Sequence, residues 1–362
     1  YASAGQADKA MALYDRAIER NPGDGELYFW KGLLLINAKR LDDAERTLQQ
    51  GIERSKDSPV GHYYLGRVYA ESKRFDLAIA SYEQAIAVNP AFEPGYLALA
   101  SVYESQQERD KAADVYRRYL QKVNPHSREI RRNLVRLFIG AKAYQEALAE
   151  LQLMLQDDPD DLDAQLRVGL VYGEMKDYPK AVEQLTSLLA ARPAELKVRD
   201  YLGLVYEEMK EYDKAIQAYE YNLRLQPNYV DGHMHLGYLF YRQKRYQDAI
   251  PHFSTVAMLN PKQADGHILL GLTHLQAEHY DKAVEAFEMG ILHSPGNADL
   301  YFNLGTAYDK LNRFDDVVRA MEKTLQLDAS HADALNYLGY SYADRGIKIE
   351  EARIGTCANG RF

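Results

Sequence analysis

The amino-acid sequence repeats itself with a period of 34 residues, and this period constrains the fold more than any other feature. A small residue marks each period except the one with Val135, and one extra residue is inserted near Pro125: Gly32, Gly66, Ala100, Gly169, Gly203, Gly237, Gly271, Gly305 and Gly339. A second small residue follows twelve positions later in most periods: Ala44, Ala78, Ala112, Ala147, Ala181, Ala215, Ala249 and Ala283. Large apolar residues lie three positions after the first small residue and four after the second, which places them on one face of a helix. A fixed period of this length predicts stacked copies of one helical unit.

Each period also contains a break where its second helix should end. The breaks are prolines, which lack a backbone donor and clash with the preceding turn. They are Pro90, Pro159, Pro193, Pro227, Pro261 and Pro295. Each unit is therefore predicted to be a pair of helices separated by a short turn.

The full pattern resembles the tetratricopeptide repeat family. The segment YLGLVYEEMKEYDKAIQAYEYNLRLQP (201–227) contains the Leu-Gly pair, the tyrosines, the alanine and the closing proline of that family. The resemblance implies an all-α fold, an α-solenoid of stacked antiparallel helix pairs that form a right-handed superhelix with the first helices on its concave side. It divides the chain into an orphan second helix (1–24), nine complete units (25–331) and an incomplete tenth unit with a divergent tail (332–362). The segment NYLGYSYADRG (336–346) resembles segments common in bacterial members.

Composition excludes several classes of function. A net charge of −9 and a pI near 5.6 argue against a nucleic-acid partner, because phosphate binding needs clustered Lys and Arg. No apolar run is long enough to predict a membrane span. The single Cys357 permits no internal disulfide, so cytoplasmic and exported locations both stay open.

The sequence also predicts neither catalysis nor a cofactor. It contains no phosphate loop, nucleophile elbow or paired catalytic carboxylates, so we expect a non-enzymatic protein without a cofactor. Seven of the ten histidines fall between residues 233 and 293. Because His233 and His235 point to different faces of a helix, packing explains them better than a metal site does.

The resemblance implies that a protein or peptide partner lies against inner positions of the first helices. Two sets of residues at these positions are candidates. The first set is basic and would suit an acidic peptide, although a solvated basic face explains it better. It comprises Arg67, Arg132, Asn133, Arg136 and Arg167. The three-unit carboxylate clamp known in the family is not matched here.

The second set is apolar and spans two adjacent units. It comprises Met234, Tyr238, Tyr241, Ile268, Leu272 and Leu275. An exposed apolar patch usually marks a partner surface, so we expect these residues to anchor an apolar or aromatic segment. Packing against the neighbouring first helix is the alternative explanation.

The two ends of the sequence are complementary within the repeat pattern. The orphan helix offers Ala10, Tyr14 and Ala17, and the final first helix offers Leu335, Leu338, Gly339 and Tyr342. One interpretation is that the sequence is a piece of a longer array. The other is self-assembly, in which the last helix of one chain completes the first unit of the next and builds a head-to-tail filament.

Overall fold

The computed structural model describes residues 7–344, with side chains from 9 to 340, and these residues form twenty α-helices and no strand. The first ten helices are α1 Ala7–Arg20, α2 Gly25–Asn37, α3 Leu41–Arg54, α4 Pro59–Glu71, α5 Phe75–Val88, α6 Glu93–Ser105, α7 Arg109–Lys122, α8 Arg128–Gly140, α9 Tyr144–Asp157 and α10 Leu162–Glu174. The others are α11 Tyr178–Ala191, α12 Leu196–Glu208, α13 Tyr212–Leu225, α14 Val230–Arg242, α15 Tyr246–Leu259, α16 Ala264–Gln276, α17 Tyr280–His293, α18 Ala298–Lys310, α19 Phe314–Leu327 and α20 Ala332–Asp344. The predicted all-α class of stacked helix pairs is confirmed. The predicted divergent tail, with Cys357, and the side chain of Tyr342 lie outside the described residues.

The chain divides into two compact units, Tyr1–Lys176 and Asp177–Phe362. In the first unit, α2 packs on α3, α4 on α5, α6 on α7 and α8 on α9, and each pair also packs on the next. The second unit repeats this arrangement with the pairs α12 and α13, α14 and α15, α16 and α17, and α18 and α19. Three-residue turns join the helices of a pair, so the two helices run antiparallel.

Glycine in the first helix of a pair lets an aromatic ring of the second helix approach closely. A Cβ atom built on Gly203, Gly237 or Gly271 would lie 2.4, 2.6 or 2.4 Å from a ring carbon of the paired helix. These rings belong to Tyr219, Phe253 and Phe287, which are fully buried. The glycine and the ring, sixteen residues apart, therefore form the packing contact that the 34-residue period repeats.

The turn within each pair has a left-handed residue that is never glycine. Its φ lies between 57° and 62° at Lys39, Lys73, Gln107, Lys142, Lys176, Lys210, Lys244, Glu278 and Asn312. The Lys244 N–H donates to the Tyr241 carbonyl and the Arg245 N–H to the Phe240 carbonyl, both at 2.9 Å. This pair of bonds is the Schellman motif, which satisfies the last carbonyls of a helix and usually places glycine at the left-handed position.

A side chain at the fourth position of many units bonds to the proline carbonyl six residues earlier. The donors are chemically diverse: Tyr28 and Tyr96 use a hydroxyl, Arg131 and Arg199 a guanidinium, and Gln165 an amide. A ring nitrogen of His233 lies 2.9 Å from the Pro227 carbonyl in the same place. The bond fixes the turn between one unit and the next.

Candidate protein-binding surfaces

The basic set lies in the first compact unit and is largely neutralised by carboxylates of that compact unit. Arg132 Nε lies 3.6 Å from Asp163 Oδ2, and its Nη2 lies 3.8 Å from Asp161 Oδ2. Arg167 Nε lies 2.9 Å from the same Asp163 oxygen. Asp161 is also the N-cap of α10, where its Oδ1 accepts the Asp163 and Ala164 N–H groups. These two arginines therefore hold the start of α10 in place.

Arg136 is paired in the same way with an acid of the neighbouring first helix. Its Nη1 lies 2.9 Å from Glu104 Oε2, and this bond raises the pKa of the guanidinium. Asn133 donates to the Glu129 carbonyl at 3.0 Å. Arg67 has its guanidinium 5.9 Å from the centre of the Tyr64 ring. Arg67 is thus the least engaged cation of the basic set.

Tyr238 is the most exposed residue of the apolar set in the second unit, at 43%. Its ring meets the buried Phe253 ring edge-on, with centroids 5.5 Å apart and planes at 81°. Burial, and then the charge of Asp265 in the first turn of α16, raises the pKa of its hydroxyl. Tyr238 is therefore an exposed aromatic ring in a fixed position.

The other five apolar residues are half-buried. Met234 and Tyr241 pack against the core formed by α13, α14 and α15. Ile268, Leu272 and Leu275 pack against the core that includes α18. Both predicted roles are present, since these side chains support the neighbouring helix and still line the surface around Tyr238.

The histidines of the second unit pack in pairs. The Nδ1 atoms of His233 and His252 lie 3.0 Å apart, and burial followed by the His233 charge lowers the pKa of His252 to about 4. His235 stacks on Tyr219 with ring centroids 5.0 Å apart. Within residues 7–344, no three His, Cys, Asp or Glu side chains are grouped so that they could hold a metal ion.

A buried polar cluster in the second unit was not found by reasoning from the sequence. Asp200 Oδ1 accepts the side-chain amide of Asn222 at 2.8 Å, and Asp200 also accepts the Tyr229 hydroxyl. Arg199 Nη1 donates to Asn222 Oδ1 at 3.0 Å. Burial raises the pKa of Asp200, and the two donated bonds oppose that shift. The sequence signal for this cluster is Asp200 itself, an acid at the fifth position of its repeat unit. One period later the same position is occupied by the apolar Met234.

The residues predicted to join two chains differ in exposure. On α1, Ala10 is buried, and Tyr14 and Ala17 are half-buried. On α20, Leu335 and Leu338 are half-buried and Gly339 is buried. The exposed large apolar side chains among the described residues of these helices are Leu13 at 58% and Tyr340 at 71%. The predicted head-to-tail contact itself stays a prediction.

Sequence models of tetratricopeptide repeats match most of the chain. One matches residues 1–67 and 240–294, a second matches 166–230, 202–264 and 302–353, and a third matches 93–137. A further model described as a TPR repeat matches residues 66–107. The chain belongs to the tetratricopeptide repeat family. Its resemblance to that family, read from the Gly, Ala, aromatic and Pro positions, is confirmed.

Several solved structures are partly similar to this chain. MamA is 25% identical, with a TM-score of 0.40, over 46% of this chain and 97% of its own. YrrB, described as a TPR protein with an unusual peptide-binding site, is 18% identical, with a TM-score of 0.42, over 51% of this chain and 95% of its own. The Naa15/Naa10 complex bound to HypK-THB contains a chain 14% identical, with a TM-score of 0.42, over 97% of this chain and 65% of that one. No curated protein matches the sequence.

Membership of the tetratricopeptide repeat family indicates a protein–protein interaction scaffold. Proteins of this type are generally non-enzymatic and bind protein or peptide partners. Among the helices of residues 7–344, none is long and apolar enough to cross a bilayer.

Proposed function

We propose that this tetratricopeptide repeat protein is a non-enzymatic scaffold that binds an extended peptide or a partner helix on the first helices of its second unit. The observation that carries the proposal is Tyr238, an exposed ring held edge-on by Phe253. A fixed aromatic ring contributes contact area at little cost in conformational entropy, and such residues dominate binding energy at interfaces. Half-buried Met234 and Leu272 extend the apolar surface on the two neighbouring first helices.

Charge defines the kind of partner. Asp231 and Asp265 are exposed at the start of α14 and α16, and Asp265 has no ion-pair partner within residues 7–344. A partner that places an aromatic or aliphatic side chain on Tyr238 brings its neighbouring residues close to these carboxylates. We therefore propose an apolar segment flanked by Lys or Arg.

The basic set of the first unit is a weaker candidate for the same role. An acidic peptide would have to compete with Asp163 for Arg132 and Arg167, and with Glu104 for Arg136. Only Arg67 is available without breaking an ion pair between described residues. These ion pairs favour a structural role for the arginines over peptide recognition.

Selection of peptides from a random library on the immobilised protein tests the proposal. We expect selected peptides to contain an aromatic or aliphatic residue next to Lys or Arg. The double variant Tyr238→Ala, Leu272→Ala should weaken their binding at least about tenfold, as expected when a central anchor is truncated. Leu225→Ala on α13 removes an equally exposed apolar side chain, at 47%, and is the matched control. Binding that survives the double variant, or selected peptides without basic residues, would contradict the proposal.

Self-assembly is the second candidate, and exposed Leu13 on α1 and Tyr340 on α20 favour it. Light scattering and negative-stain imaging of the purified chain at increasing concentration test it. We expect polymers with a constant axial repeat, abolished by Tyr14→Asp or Leu338→Asp because a buried unpaired charge is costly. A monodisperse monomer at all concentrations would exclude the filament.

A further inference from the structure

Three positions of the repeat have the same chemistry in three of the units. The eleventh residue is aromatic, the sixteenth is acidic and the nineteenth is a lysine that forms an ion pair with the acid. These ion pairs are Lys111 with Glu108, Lys180 with Asp177, and Lys214 with Glu211. The tyrosines at the eleventh position are Tyr103, Tyr172 and Tyr206.

The unit at residues 264–297 has three basic side chains at these positions instead. They are His274, His279 and Lys282. Lys282 has no ion-pair partner within residues 7–344, and His279 stands where the units of Lys111, Lys180 and Lys214 have a carboxylate. The two imidazole rings lie 5.7 Å apart, and Nδ1 of each is buried without a hydrogen bond to any described residue. Burial, and then the neighbouring His279 and Lys282, lowers the pKa of His274.

A cavity of about 420 Å³ lies beside this cluster, between α15, α16 and α17. His274 and Lys282 line it together with Met258 and Met289, which are 69% and 48% exposed. Its size falls in the range of small-molecule sites, which combine an apolar lining with a few polar groups.

Comparison with the adjacent units explains the space at this interface. Ala257 lines it, and the residues one period before and after are Leu223 and Ile291. One period before and after His274, the corresponding residues are the larger Phe240 and Tyr308. Truncation of two side chains at one interface leaves space that the neighbouring interfaces fill.

We propose that this cavity binds a small aromatic carboxylate. The ring lies against the thioethers of Met258 and Met289, which make favourable contacts with aromatic edges. The carboxylate accepts hydrogen bonds from Lys282 and from the ring of His274, whose Nδ1 has no hydrogen-bond partner among the described residues. Glu285 also lines the cavity and repels a second negative charge, so the ligand is a monoanion. The site is independent of the proposed peptide surface around Tyr238.

Binding of 2-naphthoate to the full chain, compared with the neutral 2-naphthamide, tests the proposal by isothermal titration calorimetry. We expect the carboxylate to bind about tenfold or more tightly than the amide, as a charge-assisted hydrogen bond provides. Ala257→Leu, which copies the residue of the adjacent unit, should weaken both ligands about tenfold or more by filling the cavity. Equal affinity for the two ligands, or no binding of 2-naphthoate at millimolar concentration, would overturn the proposal.

Two further variants separate the anion site from the cavity. Lys282→Gln changes an exposed side chain, and His279→Glu restores the acid that pairs with lysine in other units. Each should remove the preference for 2-naphthoate and leave the affinity for 2-naphthamide unchanged. A preference that persists in both variants would refute the role of these groups. Thermal melting of each variant confirms that it is folded.

Discussion

Glycine at the left-handed turn position should stabilise the protein, and Lys244→Gly tests this at one site. Lys244 has a φ of 59°, and its N–H forms one of the two Schellman hydrogen bonds that end α14. The substitution leaves these bonds in place because they use backbone atoms only. It removes the steric contact between Cβ and the following carbonyl that disfavours this conformation for L-residues.

The magnitude follows from two opposing contributions. A non-glycine residue in this region costs roughly 1–2 kcal/mol, and glycine loses roughly 0.5–1 kcal/mol more conformational entropy on folding. The expected net gain is about 0.5–1 kcal/mol. In a unit of this size that gain raises the Tm by about 1–4 °C. Asn312→Gly should gain less, because asparagine tolerates a positive φ better than lysine does.

Thermal and urea unfolding followed by circular dichroism measure the effect. Lys244→Ala is the first control, since it removes the side chain but keeps Cβ, and it should leave the midpoint unchanged. Gln217→Gly is the second control, because it places glycine at an exposed position inside α13 and should cost about 1 kcal/mol. If Lys244→Gly destabilises the protein as Gln217→Gly does, the left-handed backbone carries no steric cost and the reasoning is wrong.

Two further predictions concern the core of the chain. Gly271→Ala should destabilise the protein by about 1–3 kcal/mol through overpacking against Phe287, reduced by the higher helix propensity of alanine. Gly140→Ala should stabilise it by about 0.5–1 kcal/mol, because a Cβ there would meet no other part of the protein within 4 Å. Urea unfolding measures both changes in the free energy of unfolding, and changes of the same sign would refute the packing argument. The pKa of Asp200 is higher in the folded protein than in the unfolded chain, so protonated Asp200 stabilises the folded state at low pH. That contribution is lost as the pH rises from about 4, the unfolded pKa, through the folded pKa. Asp200→Asn should therefore make the free energy of unfolding depend less on pH. Unfolding free energies at several pH values test this, and a wild-type curve parallel to that of the variant would show that Asp200 does not titrate differently in the folded protein.

The helical pairs could be predicted from the sequence because one spacing rule generates them. Gly237 and Phe253 are sixteen residues apart in sequence and touch in the structure, and the same pair of glycine and aromatic ring recurs at Gly66, Gly203 and Gly271. Local patterns of this kind contain both partners within one unit, so the pattern alone predicts the contact.

The surfaces could be predicted only in part, because their properties depend on residues from other units. In the sequence, Arg132 is a cation without a visible partner, because Asp163, which lies beside it in the structure, belongs to the next repeat unit. The left-handed turns could not be predicted from the sequence, because a lysine at the turn position does not indicate a positive φ as a glycine would. The cavity beside His274 did have a signal, since Ala257 and His274 are smaller than the residues one period before and after them once the units are aligned.

The bond from the fourth position to the preceding proline carbonyl shows what a repeat array retains as its units diverge. Tyr28, Gln165 and Arg199 differ in size, charge and hybridisation, yet each delivers one donor to the same place. A profile of residue types would score this position as variable, although its geometric task is constant. Each unit is therefore free to choose a donor that suits its surroundings. Where His233 fills the role, one imidazole contacts both the Pro227 carbonyl before its unit and His252 in the second helix of its pair, so the same side chain links the turn between units to the packing within one.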